Sequence, residues 1–115
     1  MEILQPDQQV MAAALQVRAA RAEVLAGNVA NADTPGYLAR DIKFDDALQR
    51  VMENGDQSGS SFETVAAPEN LGFDRNDTDI NQQLAKAYEN SLSYVATLKL
   101  YGDSMGRLRS ATSSS

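Results

Sequence analysis

The sequence predicts a mainly α-helical protein in which two long terminal helices pack as a coiled-coil-like pair. Two observations predict this fold: both ends of the chain are rich in helix-forming residues, and both carry apolar residues at heptad spacing. In the middle of the chain, glycine, proline and asparagine recur and favour turns. We expect one structural unit with an N-terminal helix over residues 1–31, a corner loop and short irregular region over 32–78, and a C-terminal helix and polar tail over 79–115.

The N-terminal helix is predicted to begin near Pro6, because a proline in the first helical turn loses no hydrogen bond. Alanine, glutamine, arginine and leucine dominate the residues that follow, and all four favour helix. Residues at heptad spacing form an apolar stripe that contains one arginine and predicts packing against another helix. The stripe consists of Met11, Leu15, Arg18, Ala22 and Leu25.

The segment that follows this helix is predicted to form a shaped corner. Pro35 disfavours a helical conformation at the preceding residue, Thr34. The pair Pro35-Gly36 fits the two central positions of a type II turn, where glycine supplies the positive φ. Asn31 and Asp33 can bond the backbone groups that the helix end leaves free. Apolar residues after the turn are expected to fold back onto the helix: Tyr37, Leu38, Ile42 and Phe44.

Short elements are predicted for the rest of the middle region. A short helix is expected over residues 45–52, with Asp45 as its N-cap and Asn54-Gly55 at its end. Residues 62–65 are expected to form a short β segment that ends before Pro68. The run DQSGSS between these two elements has the composition of a flexible loop.

The C-terminal helix, predicted over about residues 79–109 with the polar run ATSSS as its tail, carries the strongest periodic signal. Alternating steps of four and three from Ile80 meet apolar residues at every position except Ser91, and this repeat predicts a seam that supercoils against a partner helix. Asp79 and Gln82 have the spacing of an N-terminal cap. The seam residues are Ile80, Leu84, Ala87, Tyr94, Leu98, Tyr101, Met105 and Leu108. They can be buried within the subunit, against a neighbouring subunit, or both.

The composition argues against catalysis and against several kinds of ligand. The chain has no histidine and no cysteine, which excludes the commonest general base, the usual zinc ligands and disulfides. We therefore expect no enzymatic activity, no cofactor and no metal site. The net charge is −6, and residues 32–78 hold ten acidic and four basic residues without any basic patch, so nucleic-acid binding is not expected.

The sequence also bears on membranes and export. No apolar run approaches the roughly 20 residues that span a bilayer, so direct membrane insertion is not expected. The start, MEILQPDQQ, has neither the basic nor the apolar region of a secretory signal peptide. We expect a protein that remains in the cytoplasm or leaves it by a route that removes no segment.

The string LAGNVANADTPGYLARDIKF, over residues 25–44, resembles the N-terminal signature of bacterial flagellar rod, hook and other axial proteins. In that signature a helix ends in an Asn-aliphatic-Ala-Asn step, and a Thr-Pro-Gly-Tyr turn follows. The matching residues are Asn28, Val29, Ala30, Asn31, Thr34, Pro35, Gly36 and Tyr37. Residues 39–48 and the C-terminal helix look most like the proximal rod subunits of this family, whereas residues 53–78 show no resemblance.

The resemblance implies a structural subunit that polymerises helically through its terminal helices into the flagellar basal-body rod. The rod would transmit torque across the periplasm and enclose the export channel. The implied partners are copies of the chain, other rod subunits, the inner-membrane ring with its rod-junction adaptor protein, and the type III export apparatus, which needs no cleaved signal peptide. The alternative function for such a chain is a soluble dimeric helical adaptor or export chaperone.

Overall fold

A computed structural model describes residues 5–55, 62–67 and 79–113. In chain order these residues form α1 (Pro6–Ala30), β1 (Arg40–Ile42), α2 (Phe44–Asn54), β2 (Thr64–Ala66) and α3 (Ile80–Ser113). The fold is mainly helical, with a long helix near each end of the chain and short elements between them, as the sequence predicted. The molecule is elongated, with principal extents of 62 × 25 × 21 Å.

Both long helices begin where the sequence predicted. Pro6 opens α1, and the N–H of the preceding residue, Gln5, donates to Gln8 Oε1 at 2.9 Å. Asp79 caps α3, because its Oδ1 accepts hydrogen bonds from the backbone N–H groups of Asn81 at 3.0 Å and Gln82 at 3.4 Å. The caps satisfy backbone donors that have no partner within the first helical turn.

The end of α3 differs from the prediction. The helix continues to Ser113, so the first residues of the predicted polar tail are helical. Thr112 Oγ1 donates to the backbone carbonyls of Leu108 at 3.3 Å and Arg109 at 2.9 Å, which keeps this hydroxyl bonded within the helix. A polar composition without glycine or proline does not by itself end a helix.

The middle elements follow the prediction in part. The β segment is present as β2, which pairs antiparallel with β1 so that Asp41 lies opposite Val65. The strand β1 was not predicted, because its three residues include two charged ones and show no apolar alternation. Pro68 and the DQSGSS run lie outside the described residues.

The short helix α2 begins one residue earlier and ends two residues later than the predicted range of 45–52, and Gly55 stops it as predicted. Its N-cap is Lys43, so the assignment of Asp45 as the cap is wrong. Asp45 instead lies in the first turn, where a carboxylate interacts favourably with the helix dipole. Gly55 ends the helix with a φ of 81°, and its N–H donates to the Val51 carbonyl at 2.7 Å.

A small apolar core lies between α1, β1 and α2. Its buried members are Ala13, Val17, Ile42, Ala47 and Val51. Of the four residues that were expected to fold back after the turn, Ile42 is buried, and Tyr37 and Phe44 are half-buried. Leu38 is exposed, contrary to prediction, because successive side chains of an extended chain point in opposite directions and the inward position belongs to Ala39.

Candidate functional site

Three polar pairs connect α1 to α3, and we call them the polar rungs. They are Gln8 with Ser104, Arg18 with Asn90, and Asn28 with Gln83. Rising residue numbers on α1 meet falling numbers on α3, so the two helices run antiparallel. Gln8, Asn28, Gln83, Asn90 and Ser104 are all buried. The rungs therefore lie inside the helix pair rather than at its solvent-exposed edges.

Direct hydrogen bonds close each rung. Gln8 Nε2 donates to Ser104 Oγ at 2.7 Å and to its carbonyl at 3.2 Å. Asn90 Nδ2 donates to the Arg18 carbonyl at 2.9 Å, while Arg18 Nη1 approaches Asn90 Oδ1 at 3.4 Å. A buried polar residue in a helix seam fixes the register of the pair, because every sliding motion would leave it unpaired.

The polar rungs also set how α3 faces α1. Gln83, Asn90 and Ser104 each precede a position of the predicted apolar stripe by one residue, and one residue turns a helix by about 100°. The row of α3 side chains that faces α1 most directly is therefore turned away from the predicted stripe. As a result, Leu84 remains 49% exposed and Leu98 remains 47% exposed. The helix pair forms as predicted, and the predicted stripe of α3 lies only partly within its contact.

The rotation leaves an apolar surface on the outside of α3, which we call the outer ridge. Its members are Ile80, Leu84, Tyr88, Leu92, Val95 and Leu98, with exposures between 41% and 68%. Their steps of four and three residues place them on one face of the helix. Within the described residues, the outer ridge has no helix packed over it.

The predicted seam residues divide between the interior of the helix pair and its surface. Leu25 is buried. The half-buried members are Met11, Leu15, Arg18, Ala87, Tyr94, Tyr101, Met105 and Leu108. The exposed members are Ala22, Ile80, Leu84 and Leu98. The predicted seam therefore combines residues that lie in the contact between α1 and α3 with residues that face outward.

Asn28 is the centre of the corner. Its Nδ2 donates to the Arg40 carbonyl at 2.7 Å and to Gln83 Oε1 at 2.8 Å. Its Oδ1 accepts from the Arg40 N–H at 3.1 Å and from the Tyr37 hydroxyl at 3.1 Å. Two donors and two acceptor sites are the whole capacity of an asparagine side chain. A single buried side chain thus joins α1, the turn, β1 and α3.

The turn next to Asn28 has the predicted geometry. The Tyr37 N–H donates to the Thr34 carbonyl at 3.1 Å, and Gly36 has a φ of 77°. Asn31 Nδ2 donates to the Gly27 carbonyl at 2.9 Å, so this side chain bonds the end of α1 as expected. Of the remaining signature residues, Val29 is half-buried, whereas Ala30, Thr34, Pro35 and Gly36 are exposed.

An ion cluster around Asp41 connects α1, β1 and α3. Arg21 Nε and Nη2 donate to the two carboxylate oxygens of Asp41 at 2.8 and 3.0 Å, and Lys86 Nζ lies 3.7 Å from Asp41 Oδ2. Burial alone would raise the pKa of Asp41. The hydrogen bonds from Arg21 and the Ile42 N–H, together with the charges of Arg21 and Lys86, outweigh burial and hold this pKa below its usual value.

Sequence reasoning missed this cluster and the partners of the polar rungs. Arg21, Asp41 and Lys86 lie far apart in the chain, so no local motif connects them. Gln83 and Ser104 are polar residues on a helix that otherwise shows apolar periodicity. Periodicity reasoning assigns such residues to the solvent face. Only their heptad spacing with Asn90 was a usable signal.

Beside the middle rung, an open groove separates α1 from α3. It has a volume of about 350 Å³. We call it the Arg18 groove; Arg18 and Asn90 line it together with Ala19, Ala22, Ser91, Tyr94 and Val95. The Arg18 guanidinium carbon lies 4.6 Å from the centre of the Phe44 ring, a cation–π distance. Its Nε is buried and has no hydrogen-bond partner within the described part of the chain.

None of the described helices has an apolar stretch long enough to cross a bilayer.

The chain matches a family model described as "Flagella basal body rod protein" over residues 9–37. That range covers most of α1 and the whole of the turn, including Asn28 and Tyr37. The match therefore falls on the part of the chain where the corner is built.

Curated relatives match over most of the chain. "Flagellar basal body rod protein FlgB" of Yersinia ruckeri is 37% identical over 110 residues, which cover 77% of this chain and 80% of the relative. The protein of the same name from Escherichia coli K12 is 37% identical over 106 residues, or 74% of this chain and 77% of the relative. That of Aeromonas hydrophila is 34% identical and covers 85% of this chain and 86% of the relative. This chain belongs to the flagellar basal-body rod protein family.

Proposed function

We propose that this chain polymerises helically through its terminal helices, with the outer ridge of α3 covered by neighbouring subunits. Rod subunits assemble with other rod components, and the outer ridge is the observation that favours this surface. Six large apolar side chains on one helix face form a contiguous patch of the kind that marks interaction sites. Covering these side chains would remove apolar area from water, which contributes a favourable free energy of about 25 cal/mol for each Å² buried.

The predicted seam residues then have two roles in the proposal. Half-buried members such as Ala87, Tyr94 and Tyr101 hold α3 against α1 within the subunit. Exposed members such as Leu84 and Leu98 contact the next subunit. The small apolar core on the other side of α1 leaves the isolated chain with little buried area, so assembly would add to its stability.

The same geometry suits a component that carries mechanical load. Sliding α3 along α1 would break all three polar rungs, and separating the corner from α3 would break the Asn28–Gln83 and Asp41–Lys86 contacts. We propose that α1, the corner and α3 act as one unit that transmits torque across the periplasm. The family membership supports the remaining parts of the proposal: a proximal position in the rod, a wall around the export channel, and contacts with the inner-membrane ring, its rod-junction adaptor and the type III export apparatus.

A concentration series in sedimentation velocity tests the proposal. A rod subunit should form progressively larger species as concentration rises, and electron microscopy should show elongated particles. The substitutions Leu84→Glu and Leu98→Glu place charges on the outer ridge and should keep the chain monomeric. Met52→Glu alters an exposed apolar residue on α2, outside the outer ridge, and should assemble like the unsubstituted chain.

The same series separates the proposal from a dimeric adaptor or export chaperone. A closed dimer uses one self-complementary surface and stops growing once it is formed. A plateau at the dimer mass would therefore contradict the rod proposal. Growth that is unaffected by both ridge substitutions would show that another surface carries assembly.

A further inference from the structure

Arg18 is a cation without a carboxylate partner in the described residues. Arg21, one turn further along α1, has two short hydrogen bonds to Asp41. Among the described residues, the Arg18 guanidinium contacts only the amide oxygen of Asn90 at 3.4 Å and the face of Phe44, and its buried Nε has no hydrogen-bond partner there. Burying a guanidinium donor without a partner costs free energy that a carboxylate would recover.

The Arg18 groove leaves space for a side chain next to Arg18. The Arg18 groove is open at the surface, and on α1 its wall is formed by the exposed small side chains of Ala19 and Ala22. Tyr94 and Val95 form the α3 wall. Small residues let another backbone approach closely, and the apolar walls would accept an apolar side chain next to the charge.

We propose that the Arg18 groove seats α3 of a second copy of this chain, with Glu89 of that copy paired to Arg18. The inference rests on the proposed function and names one contact of the polymer. Glu89 is exposed, and within the described residues no cation is paired with it. Leu92, three residues later on the same face, is exposed and would supply the apolar contact.

Charge and symmetry favour Glu89 of a second copy as the occupant. The chain carries a net charge of −6, so copies of it bring carboxylates to an unpaired cation. The other exposed carboxylate well inside α3, Asp103, has Lys99 and Arg107 four residues away on either side, which compete for it. Lys86 lies three residues before Glu89, but its ammonium group contacts Asp41. Glu89 and Val95 lie about 120° apart around α3, so the two contacting surfaces of one copy differ. Different surfaces in contact generate a ring or an open helical polymer rather than a closed dimer.

The test measures self-association of the full chain by sedimentation velocity in Arg18→Gln, in Glu89→Gln and in the double variant. Each single variant should raise the apparent dissociation constant roughly tenfold or more, because it leaves the other charge without its partner. The double variant should be no weaker than either single variant. Arg50→Gln and Glu53→Gln make the same charge changes at exposed positions on α2 and should leave association unchanged.

A second variant blocks the groove without altering Arg18. Ala22→Leu fills the α1 wall at an exposed position, so the monomer should fold normally and association should weaken. Ala26→Leu, one turn further along α1 and outside the groove, is its control. Association should also weaken with added salt, since a charge pair contributes to it.

The outcomes separate this inference from the proposed function. If the chain polymerises and neither Arg18→Gln nor Ala22→Leu weakens association, the groove does not seat a second copy and the inference falls while the rod proposal stands. If the Arg18 and Glu89 effects add independently, Glu89 is not the partner. If the chain never self-associates, or binds through the groove only to a different flagellar protein, the second-copy assignment is wrong.

Discussion

Asn28 on α1 donates a 2.8 Å hydrogen bond to Gln83 on α3, and this buried amide pair joins the end of one terminal helix to the beginning of the other. The same Asn28 side chain holds both the N–H and the carbonyl of Arg40. Asn28 therefore fixes the position of the corner relative to both helices, together with the Asp41 cluster. This arrangement gives the asparagine of the family signature a structural role.

Replacing Asn28 with alanine should lower the free energy of unfolding by about 3 kcal/mol or more, because buried backbone and amide groups lose their partners. Urea unfolding followed by circular dichroism measures this change. Asn31→Ala is the matched control: it removes a side-chain bond to Gly27 at the half-exposed end of α1 and should cost about 1 kcal/mol. Equal losses for the two variants would contradict the central role of Asn28.

The polar rung of Gln8 and Ser104 should contribute more to register than to stability. Ser104→Ala leaves the Gln8 amide buried without its hydroxyl partner and should cost about 1–2 kcal/mol. Combining it with Gln8→Leu removes both polar groups of the rung, and the double variant should recover most of the Ser104→Ala loss apart from the capping bond between the Gln5 N–H and Gln8 Oε1. A double-mutant cycle in urea measures the coupling. Losses that simply add would mean that the two side chains do not act as a pair.

The Asp41 cluster predicts a loss of stability in acid. The pKa of Asp41 in the folded chain lies below the usual 3.8, so in acid the unfolded chain binds more protons than the folded one. The contribution of this group is fully present above its unfolded pKa and is lost as pH falls through the folded value. Unfolding free energies measured from pH 7 down to acid should therefore fall below about pH 5.

Asp41→Asn isolates this contribution. The variant should be less stable at pH 7 by about 2 kcal/mol, because two charge-assisted hydrogen bonds are weakened, and its acid slope should be shallower. Asp46→Asn, at an exposed position on α2, should keep the slope of the unsubstituted chain. An unchanged acid slope in Asp41→Asn would show that other groups set the pH dependence.

Substitution of a glycine in the turn and of a glycine in α1 should have opposite effects on stability. Gly36 has a φ of 77°, and no described residue lies within 4 Å of its Cβ position, so Gly36→Ala should cost about 1 kcal/mol through backbone strain alone. Gly27 lies within α1, likewise with no described residue near its Cβ position, and Gly27→Ala should stabilise the chain by up to about 1 kcal/mol. Thermal melting of both variants compares them directly. A gain for Gly36→Ala would contradict the turn geometry.

Much of the fold could be predicted from local chemistry. Pro6, Asp79 and Gly55 mark helix ends because each acts on its own backbone, and Pro35-Gly36 specifies its turn in the same way. The heptad repeats correctly indicated two long helices. These signals need no knowledge of where distant parts of the chain lie.

The face that α3 presents to α1 could not be predicted by the same means. Apolar periodicity marks Leu84 and Leu98 as seam residues without saying whether they face α1 or a neighbouring subunit. Hydrogen bonds across long sequence separations bring Gln83 and Asn90 against α1. The Asp41 cluster depends on the same long-range geometry. The signature residues could therefore be named from the sequence, whereas the partners that hold them could not.

Cysteine labelling at the outer ridge tests the central claim most directly, since the chain has no cysteine of its own. A single Leu84→Cys variant should react rapidly with a thiol reagent as a dilute monomer and slowly once assembled. Glu53→Cys on α2 is the control for reagent access and should react rapidly in both states. Equal reactivity of Leu84→Cys before and after assembly, or protection already present in the monomer, would contradict an outer ridge that neighbouring subunits cover.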